Sequence, residues 1–266
     1  MLSIIIPALN EGYSIGPTLD AVARLSMHTE VIVVDGGSDD GTREIARARG
    51  AIVMASERGR GLQMHGGARV AQGDVLWFLH ADTIVPADAA DLIVKAFHDP
   101  KVVAGNFDLL FDGKTSAARF MTWLYPKLRR LGLSYGDSAI FVRRATYEKV
   151  GGFRPFPIFE DLDLIKRVRK LGAMVNVPTT VVTSSRRFEG RSFLVTFARW
   201  ASLHVLYWMG VRPSALGRLY APIRNDGGTL SHGEQKRIRL ARIAENGRGS
   251  NGLRAPQKPG VLDLHW

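Results

Sequence analysis

The chain contains no cysteine in its 266 residues. Disulfide frameworks, thiolate metal sites and cysteine nucleophiles are therefore excluded. Acidic side chains are also scarce, because 25 Asp and Glu stand against 36 Lys and Arg and leave a net charge of +11 at pH 7. This basic balance favours a polyanionic partner, whether nucleic acid, anionic lipid or a phosphate-bearing substrate, and charge alone does not choose among them.

Two familiar nucleotide-binding motifs are incomplete. After Gly59-Arg-Gly61 the dinucleotide fingerprint needs a third glycine at position 64, which is Met64. The run Asp112-Gly-Lys-Thr115 resembles the end of a P-loop, but the first glycine of that motif would stand at position 108, which is Asp108. A dinucleotide-dependent oxidoreductase and a P-loop ATPase are therefore poorly supported.

The amino terminus has no charged n-region, and Pro7 interrupts its first apolar run. We interpret residues 1–9 as a core strand and not as a signal peptide. We therefore expect a cytoplasmic protein, either free or at the inner face of the cell membrane. With 45% hydrophobic residues, the chain can bury the core of one sizeable domain.

Apolar, β-branched runs alternate with amphipathic stretches through the first hundred residues. Strands are predicted at 3–9, 30–35, 51–55 and 75–80, and helices at about 15–25, 41–49, 62–71 and 87–97. This alternation predicts βαβ units and an α/β fold with a mostly parallel sheet.

The regular alternation of predicted strands and helices ends after Asp99-Pro100. Strands are predicted at 102–111 and 138–142, and helices at 115–130 and 161–171. We expect this second half to cover one face of the same sheet. The predicted organisation is a nucleotide-binding half (1–99), an acceptor and catalytic half (100–191), aromatic helices (192–224) and a basic, Gly-rich, mostly disordered tail (225–266).

The aromatic segment 192–211 approaches the length of a membrane span, which takes ~20 apolar residues. Arg199 and His204 lie in its middle, where a charged Arg is costly for a lone span. A spanning helix is therefore the least favoured of three interpretations. An interfacial amphipathic helix and a helix packed on the domain are the other two.

Polar side chains follow three of the predicted strands. Asn10 and Glu11 follow the first strand, Asp35 ends the second, and His80 and Asp82 follow the strand that begins near residue 75. Because parallel strands bring their carboxyl ends to one edge of a sheet, we expect these groups to lie together at a ligand site. Taken alone, Asp35 before two glycines also fits a turn or a helix cap.

These residues belong to motifs that occur in order along the chain. The motifs are Pro7-Ala-Leu-Asn10-Glu11, Val34-Asp-Gly-Gly-Ser-Asp-Asp-Gly-Thr42, Gly73-Asp-Val-Leu-Trp-Phe-Leu-His-Ala-Asp82, Val150-Gly-Gly-Phe153 and Phe159-Glu-Asp161. The set resembles the family 2 glycosyltransferases over about residues 1–224. The resemblance implies a Rossmann-like GT-A fold with C-terminal helices and a flexible tail. The run Ser184-Ser-Arg-Arg-Phe-Glu-Gly-Arg191 is similar to a small bacterial branch labelled arsenosugar-biosynthesis glycosyltransferases.

The resemblance implies a nucleotide-sugar donor, with UDP favoured, held at the first two strand ends. The donor-binding residues that it implies are Pro7, Ala8, Asn10, Glu11 and Asp35. Guanidinium groups suit phosphate oxygens because they offer a planar fork of donors. The candidates for this contact are Arg58, Arg60, Arg186 and Arg187, of which we assign Arg60 and Arg187 to the donor site.

The family's metal motif is Asp-x-Asp, and here it reads His80-Ala-Asp82. A divalent cation offsets the charge that develops on a leaving diphosphate. We assign Asp82 as a ligand of Mn²⁺ or Mg²⁺ and His80 as a second ligand, whose imidazole suits Mn²⁺ better. A hydrogen bond from His80 to phosphate, or simple packing at the strand end, is the alternative.

By the same resemblance, Asp161 is the general base of an inverting, single-displacement transfer, and Glu160 and Asp163 support it. The alternative for the two supporting residues is that their charge complements the dipole of the helix.

The resulting prediction is an enzyme that moves one sugar to a small or lipid-linked acceptor, with contact to anionic membrane and no nucleic-acid partner. We expect the acceptor side near the aromatic, basic helix that contains Trp123, Tyr125 and Lys127. A non-catalytic basic module that docks on anionic membrane or nucleic acid is the alternative from a different class. A cation-dependent nucleotidyltransferase is a weaker one.

Overall fold

The fold is taken from a computed structural model, which describes residues 1–113, 115–130, 138–186 and 193–219. The strands are β1 (Leu2–Ala8), β2 (Thr29–Asp35), β3 (Ile52–Ala55), β4 (Val75–Phe78), β5 (Thr83–Ile84), β6 (Val102–Phe111), β7 (Phe141–Arg143) and β8 (Ala173–Thr183). The helices are α1 (Ile15–Val22), α2 (Thr42–Ala48), α3 (Arg60–Val70), α4 (Ala89–Ala96), α5 (Ser116–Arg130), α6 (Arg144–Lys149), α7 (Glu160–Val168), α8 (Phe193–Trp208) and α9 (Pro213–Leu219).

The strands of the described residues form one eight-stranded sheet in the order β3-β2-β1-β4-β7-β6-β8-β5. Strand β1 pairs in parallel with β2 and β4, and β2 pairs in parallel with β3. Strand β7 runs antiparallel between β4 and β6, β8 runs parallel to β6, and β5 runs antiparallel to β8. The predicted α/β fold with a mostly parallel central sheet is confirmed.

Strand β1 lies inside the parallel half of the sheet and is buried on both faces. Ile4, Ile5 and Ile6 are completely buried, and successive residues enter different hydrophobic clusters. Helix α3 packs against β1 and β2, and Gly67 permits this close approach. A Cβ atom at position 67 would lie 2.6 Å from Cγ2 of Ile5, so a larger residue would push the helix away from the sheet.

The expectation that the second half covers one face of the sheet is wrong. Strands β7, β6 and β8 continue the sheet beyond β4 and are hydrogen-bonded into it. Strands β5 and β8 and helix α6 were not predicted. The physical reason for β8 is its mixed burial, since most residues of this strand are partly or fully exposed and the apolar alternation is weak.

Helix α8 lies against the domain along one side. Leu203 and His204 are buried, whereas Leu194 is 76% and Trp208 68% exposed. Within the described parts of the chain, no helix has both the length and the apolar character that a membrane crossing requires. The predicted tail (225–266) lies outside the described residues. The last helix among the described residues is α9.

Candidate active site

The cleft of the molecule opens where the sheet changes its winding direction. Strands β2 and β3 lie on one side of β1, and β4 lies on the other. The carboxyl ends of β1 and β4 therefore diverge, which is where open α/β sheets bind ligands. The cleft there has a volume of about 670 Å³. The predicted site residues that line it are Pro7, Ala8, Glu11, Arg60, His80, Asp82 and Asp161.

Asp35 is the last residue of β2 and precedes the turn beside this cleft. Its carboxylate is completely buried and accepts hydrogen bonds from the backbone N–H of Gly37 (3.0 Å) and of Ser38 (3.0 Å), and from the Ser38 hydroxyl. Arg43 adds its charge at 3.7 Å from Oδ2. The structure thus places Asp35 as the residue that shapes the turn, and its contact with a nucleotide stays a prediction.

Asn10 joins the loop after β1 to the loop after β2. Its backbone N–H donates to Ser38 Oγ (2.9 Å), and its Oδ1 accepts from the N–H of Asp39 (3.0 Å). The backbone of Asn10 is left-handed, with φ of 54°, which asparagine tolerates better than most residues. Glu11 continues the connection, because its N–H donates to Thr42 Oγ1 at 2.8 Å. The two loops therefore form one wall, and the donor role of Asn10 stays a prediction.

Gln63 closes the base of this wall, and the sequence analysis missed it. Its Nε2 donates to the carbonyl oxygens of Ala8 and Val34, each at 2.8 Å. The amide thus joins the ends of β1 and β2 from within helix α3. In the sequence, Gln63 stands between the apolar residues Leu62 and Met64 of a predicted helix, and this position is the signal that could have found it.

Glu11 and Asp82 converge on the guanidinium of Arg186. Arg186 Nη2 donates to Glu11 Oε1 and lies 3.3 Å from Asp82 Oδ2. Burial raises the pKa of Glu11, and the nearby Asp82 raises it as well, while Arg186 acts in the opposite direction. Thr183, at the end of β8, donates to Asp82 Oδ1 at 3.4 Å.

The chemistry of this corner suits a divalent cation only in part. Asp82 and Glu11 supply hard carboxylate oxygens, and Glu11 Oε2 is buried with no hydrogen-bond donor among the described residues. His80 lines the same cleft. However, the described residues contain no group of three His, Cys, Asp or Glu side chains that could hold a metal by itself. A cation would therefore need further oxygen ligands from the substrate.

Arg60 and Glu160, predicted for different roles, are partners. Arg60 Nε donates to Glu160 Oε1, and the Glu160 side chain is 1% exposed. This ion pair ties the start of α3 to the start of α7. Asp163 is bound elsewhere, to Arg167 at 2.7 Å and to Arg154 at 3.2 Å. Glu160 and Asp163 therefore hold the helix in place, and only Asp161 of the acidic first turn lines the cleft.

Asp161 is presented to the cleft by a strained residue. Phe159, which precedes α7, has a left-handed backbone with φ of 64°, which costs ~1–3 kcal/mol for a non-glycine residue. Packing holds it there, because its ring centroid lies 4.6 Å from that of His204 and 4.8 Å from that of Tyr207. Asp161 itself is buried in the first turn of α7, where the helix dipole favours a carboxylate.

The wall opposite the strand ends is aromatic. Its rings come from the end of β6, from α5, from the loop before α7 and from α8. They are Phe111, Tyr125, Phe156, Phe159, Phe197, Trp200 and His204. Burial lowers the pKa of His204, which keeps the imidazole neutral at neutral pH. We predicted the acceptor side near α5. Of its residues, Tyr125 lines the cleft, whereas Trp123 is 57% exposed and lies outside it.

The contribution of α8 to this wall was missed. Phe197, Trp200 and His204 recur at spacings of three and four, which a helix places on one side. That spacing was the available signal. Of the other predicted residues, Arg58 and Arg186 line the cleft, and Arg187 lies outside the described residues.

Comparison with known proteins finds similarity to glycosyltransferases. The family model described as Glycosyl transferase family 2 matches residues 3–148, more than half of the chain. The glycosyltransferase AglE of Haloferax volcanii is 30% identical over an alignment of 173 positions that covers 59% of this chain and 56% of that protein. The chain spans about half the length of the curated relatives that it matches most extensively.

Solved structures share the fold. Glucosyl-3-phosphoglycerate synthase from Mycobacterium tuberculosis, in complex with Mn²⁺ and UDP-glucose, superposes with a TM-score of 0.55 at 20% identity, over 80% of each chain. The mannosyltransferase PcManGT from Pyrobaculum calidifontis, in complex with GDP-mannose and Mn²⁺, gives a TM-score of 0.59 at 20% identity, over 95% of this chain and 76% of the other. At this level of identity the likeness shows a common GT-A fold.

Proposed function

The chain belongs to glycosyl transferase family 2, and we propose that it uses a nucleotide sugar and transfers one sugar, with inversion, to an acceptor hydroxyl. The observation that carries this proposal is the position of Asp161. Asp161 lines the same cleft as Asp82 and Glu11 but enters it from the first turn of α7 and not from a strand end.

The proposed reaction is a single displacement. Asp161 takes the proton from the acceptor hydroxyl as its oxygen forms a bond to the anomeric carbon of the sugar. The bond from that carbon to the phosphate oxygen breaks, and the nucleoside diphosphate leaves with the electron pair. Attack from the side opposite to the leaving group inverts the configuration. Glu160 serves this step by holding the start of α7 through its ion pair with Arg60.

The donor occupies the strand ends in this proposal. The strand-end wall is lined by Pro7, Ala8 and Glu11, and its loops are shaped by Asn10 and Asp35. We place the base and ribose of the donor against this wall. A UDP-sugar is favoured by the family resemblance, and the neighbouring structures include complexes with UDP-glucose and with GDP-mannose. The basic residues Arg60 and Arg187 remain the proposed phosphate contacts, the latter from sequence only.

The proposed cation is Mn²⁺ or Mg²⁺, bound by Asp82 with His80 beside it. When bound, it supplies positive charge to the leaving diphosphate. The Mn²⁺ complexes of neighbouring structures support this assignment, and Mn²⁺ is favoured over Mg²⁺ because of the imidazole.

The acceptor occupies the aromatic wall, and its character supports a lipid-linked molecule. Rings continue from the cleft to the surface, since Trp200 neighbours Phe197 (5.7 Å between centroids), Phe197 neighbours Phe120 (5.8 Å) and Phe120 neighbours Trp123 (5.7 Å). Lys127 lies 3.0 Å above the Trp123 ring. Such a basic, aromatic rim suits the headgroup region of an anionic membrane, and the inner face of the cell membrane is the proposed location.

The narrower membership, in the branch labelled arsenosugar-biosynthesis glycosyltransferases, is part of the same proposal. It rests on the run from Ser184 to Arg191, of which residues 187–191 lie outside the described part of the chain.

Thermal unfolding with nucleotides tests the donor class. The ligands are UDP, GDP and their common sugar conjugates, each with and without Mn²⁺. A ligand at 100 times its Kd stabilises a protein by ~2.7 kcal/mol, so binding is visible as a rise in Tm. We expect UDP-sugars with Mn²⁺ to give the largest rise, and Asp82→Ala to remove the part that depends on the cation.

Asp88→Ala is the control, because Asp88 is exposed and lies outside the residues that line the cleft. It should leave the nucleotide response unchanged. The absence of any response to any nucleotide would return weight to the docking-module alternative. Release of pyrophosphate, instead of a nucleoside diphosphate, would indicate a nucleotidyltransferase.

A further inference from the structure

Arg186 lies at the meeting point of three elements of the cleft. Its Nη2 reaches Glu11 after β1 and Asp82 after β4, and its Nη1 donates to Ser14 Oγ (3.3 Å) before α1. The side chain of Arg186 is 23% exposed, and those of Glu11 and Asp82 are each 14% exposed. One guanidinium therefore neutralises two largely buried carboxylates.

This position conflicts with a divalent cation at Asp82. Both oxygens of Asp82 already have donors, Thr183 at Oδ1 and Arg186 at Oδ2. A cation bound to Asp82 would lie close to the guanidinium, and two unit charges of like sign about 4 Å apart repel by ~1–4 kcal/mol in surroundings between bulk water and a protein surface, a repulsion that a divalent cation doubles. The cation can bind well only if Arg186 moves away from Asp82.

A diphosphate offers Arg186 an alternative partner. Its oxygens match the planar fork of a guanidinium, and charge-assisted hydrogen bonds of this kind are among the strong ones. We infer that Arg186 exchanges partners: it neutralises Asp82 and Glu11 until a nucleoside diphosphate arrives, and then binds the diphosphate and exposes Asp82 to the cation. Donor and cation therefore bind cooperatively, and the cation binds weakly by itself. The inference rests on the proposed function in that the ligand is a nucleoside diphosphate.

The test measures two affinities in a set of variants. The Kd of Mn²⁺ is obtained from the electron paramagnetic resonance signal of the free ion, with and without UDP. The Kd of UDP without metal is obtained by calorimetry. The variants are wild type, Arg186→Gln, Arg186→Lys and Asp82→Asn, and the last identifies which Mn²⁺ binding occurs at Asp82. Because burial raises the pKa of Glu11, the measurements are made at pH 8, which favours its ionised form.

Arg186→Gln should change the two affinities in opposite directions. Without UDP, Mn²⁺ should bind about 3- to 10-fold more tightly, because Asp82 loses its competing cation. Without metal, UDP should bind about 10-fold more weakly, because a guanidinium contact to phosphate is lost. The enhancement of Mn²⁺ binding by UDP should shrink, and by linkage the enhancement of UDP binding by Mn²⁺ should shrink by the same factor.

Arg186→Lys separates charge from geometry. Lysine retains a positive charge but offers no planar fork. Its Mn²⁺ affinity without UDP should stay near that of wild type, while its UDP affinity should still fall. Arg47→Gln removes one positive charge from the exposed surface of α2, where its partner is Glu44, and should change neither affinity.

An unchanged or weaker Mn²⁺ affinity in Arg186→Gln, with Tm maintained, would overturn the inference and make Arg186 a structural support of Asp82. The Mn²⁺ titration without UDP does not depend on the donor assignment. Failure of UDP to bind even the wild-type protein would therefore count against the proposed function, while the Mn²⁺ titration would still decide whether Arg186 competes with the cation.

Discussion

The two walls of the cleft differ in what holds them together. On the strand-end wall, charged groups bind each other, as in the contacts of Arg186 with Glu11 and Asp82. On the opposite wall, aromatic rings pack on one another, as in the tilted contact of Trp200 and His204 with centroids 4.1 Å apart. The difference matches the two halves of the proposed reaction, in which a charged diphosphate leaves from one wall and the acceptor approaches along the other.

Asp161 lines the cleft from α7, and its replacement should have the largest effect. Asp161→Asn removes the proposed base while keeping the size of the side chain, so kcat should fall by about 10³-fold, within the range for general-base catalysis. The Kd of the UDP-sugar should not change, because the donor binds the other wall. Rates of UDP release and calorimetric donor affinity measure the two quantities.

Asp163→Asn is the matched comparison, since Asp163 lies in the same turn of α7 but is bound to Arg154 and Arg167. We expect this variant to lower Tm and to retain most of its turnover. Substantial turnover in Asp161→Asn would show that the base lies elsewhere and that the contrast between the walls does not mark the reaction centre.

Breaking the ion pair between α3 and α7 should have the next largest effect. Arg60→Ala leaves the carboxylate of Glu160 buried and uncompensated, so the free energy of unfolding should fall by about 2 kcal/mol, below the range for fully buried pairs because Arg60 is 34% exposed. Urea denaturation measures this loss. Arg49→Ala, which breaks an exposed pair with Asp20, should cost less than about 1 kcal/mol. Equal losses in the two variants would contradict the burial argument.

Removing an aromatic ring should weaken binding at the aromatic wall only. Trp200→Ala should raise the KM for an acceptor with an apolar chain, such as an octyl glycoside, by about 10-fold, because aromatic side chains contribute strongly to binding contacts. The Kd of the donor should be unchanged. Trp208→Ala, on the exposed side of α8, is the control and should leave both constants unchanged. A change in donor affinity in Trp200→Ala would show that the walls are not functionally separate.

The smallest effect concerns His204 and pH. Burial lowers the pKa of His204 in the folded state, so the unfolded chain binds more protons there. Stability should therefore be complete above the unfolded value of about 6.5 and should fall as pH decreases below it. His204→Gln should flatten this dependence between about pH 7 and pH 5, measured as the free energy of unfolding. His28 is exposed, and His28→Gln should leave the slope as in wild type.

Local patterns predicted the strand-end wall well. The predicted strand at 102–111 agrees with β6 at both ends, and the other predicted strands and helices of the first half lie within a few residues of those observed. Asn10, Asp35 and Asp82 were recognised because each follows a strand that is buried on both faces, and such strands read as continuous apolar runs. The partners of these residues come from distant parts of the chain, as Thr183 and Arg186 do for Asp82, and no local pattern specifies them.

The sequence by itself determined the family, the α/β alternation and the identity of the residues at the ends of the parallel strands, because these follow from short-range periodicity and from motifs of adjacent residues. Only the tertiary structure decided that the second half extends the sheet, that Arg60 binds Glu160, and that Arg186 joins Glu11 to Asp82. Those outcomes depend on pairings between residues far apart in the sequence, such as Val75 with Arg143, Arg60 with Glu160 and Arg186 with Glu11, which the packing of the whole chain selects and no single segment encodes.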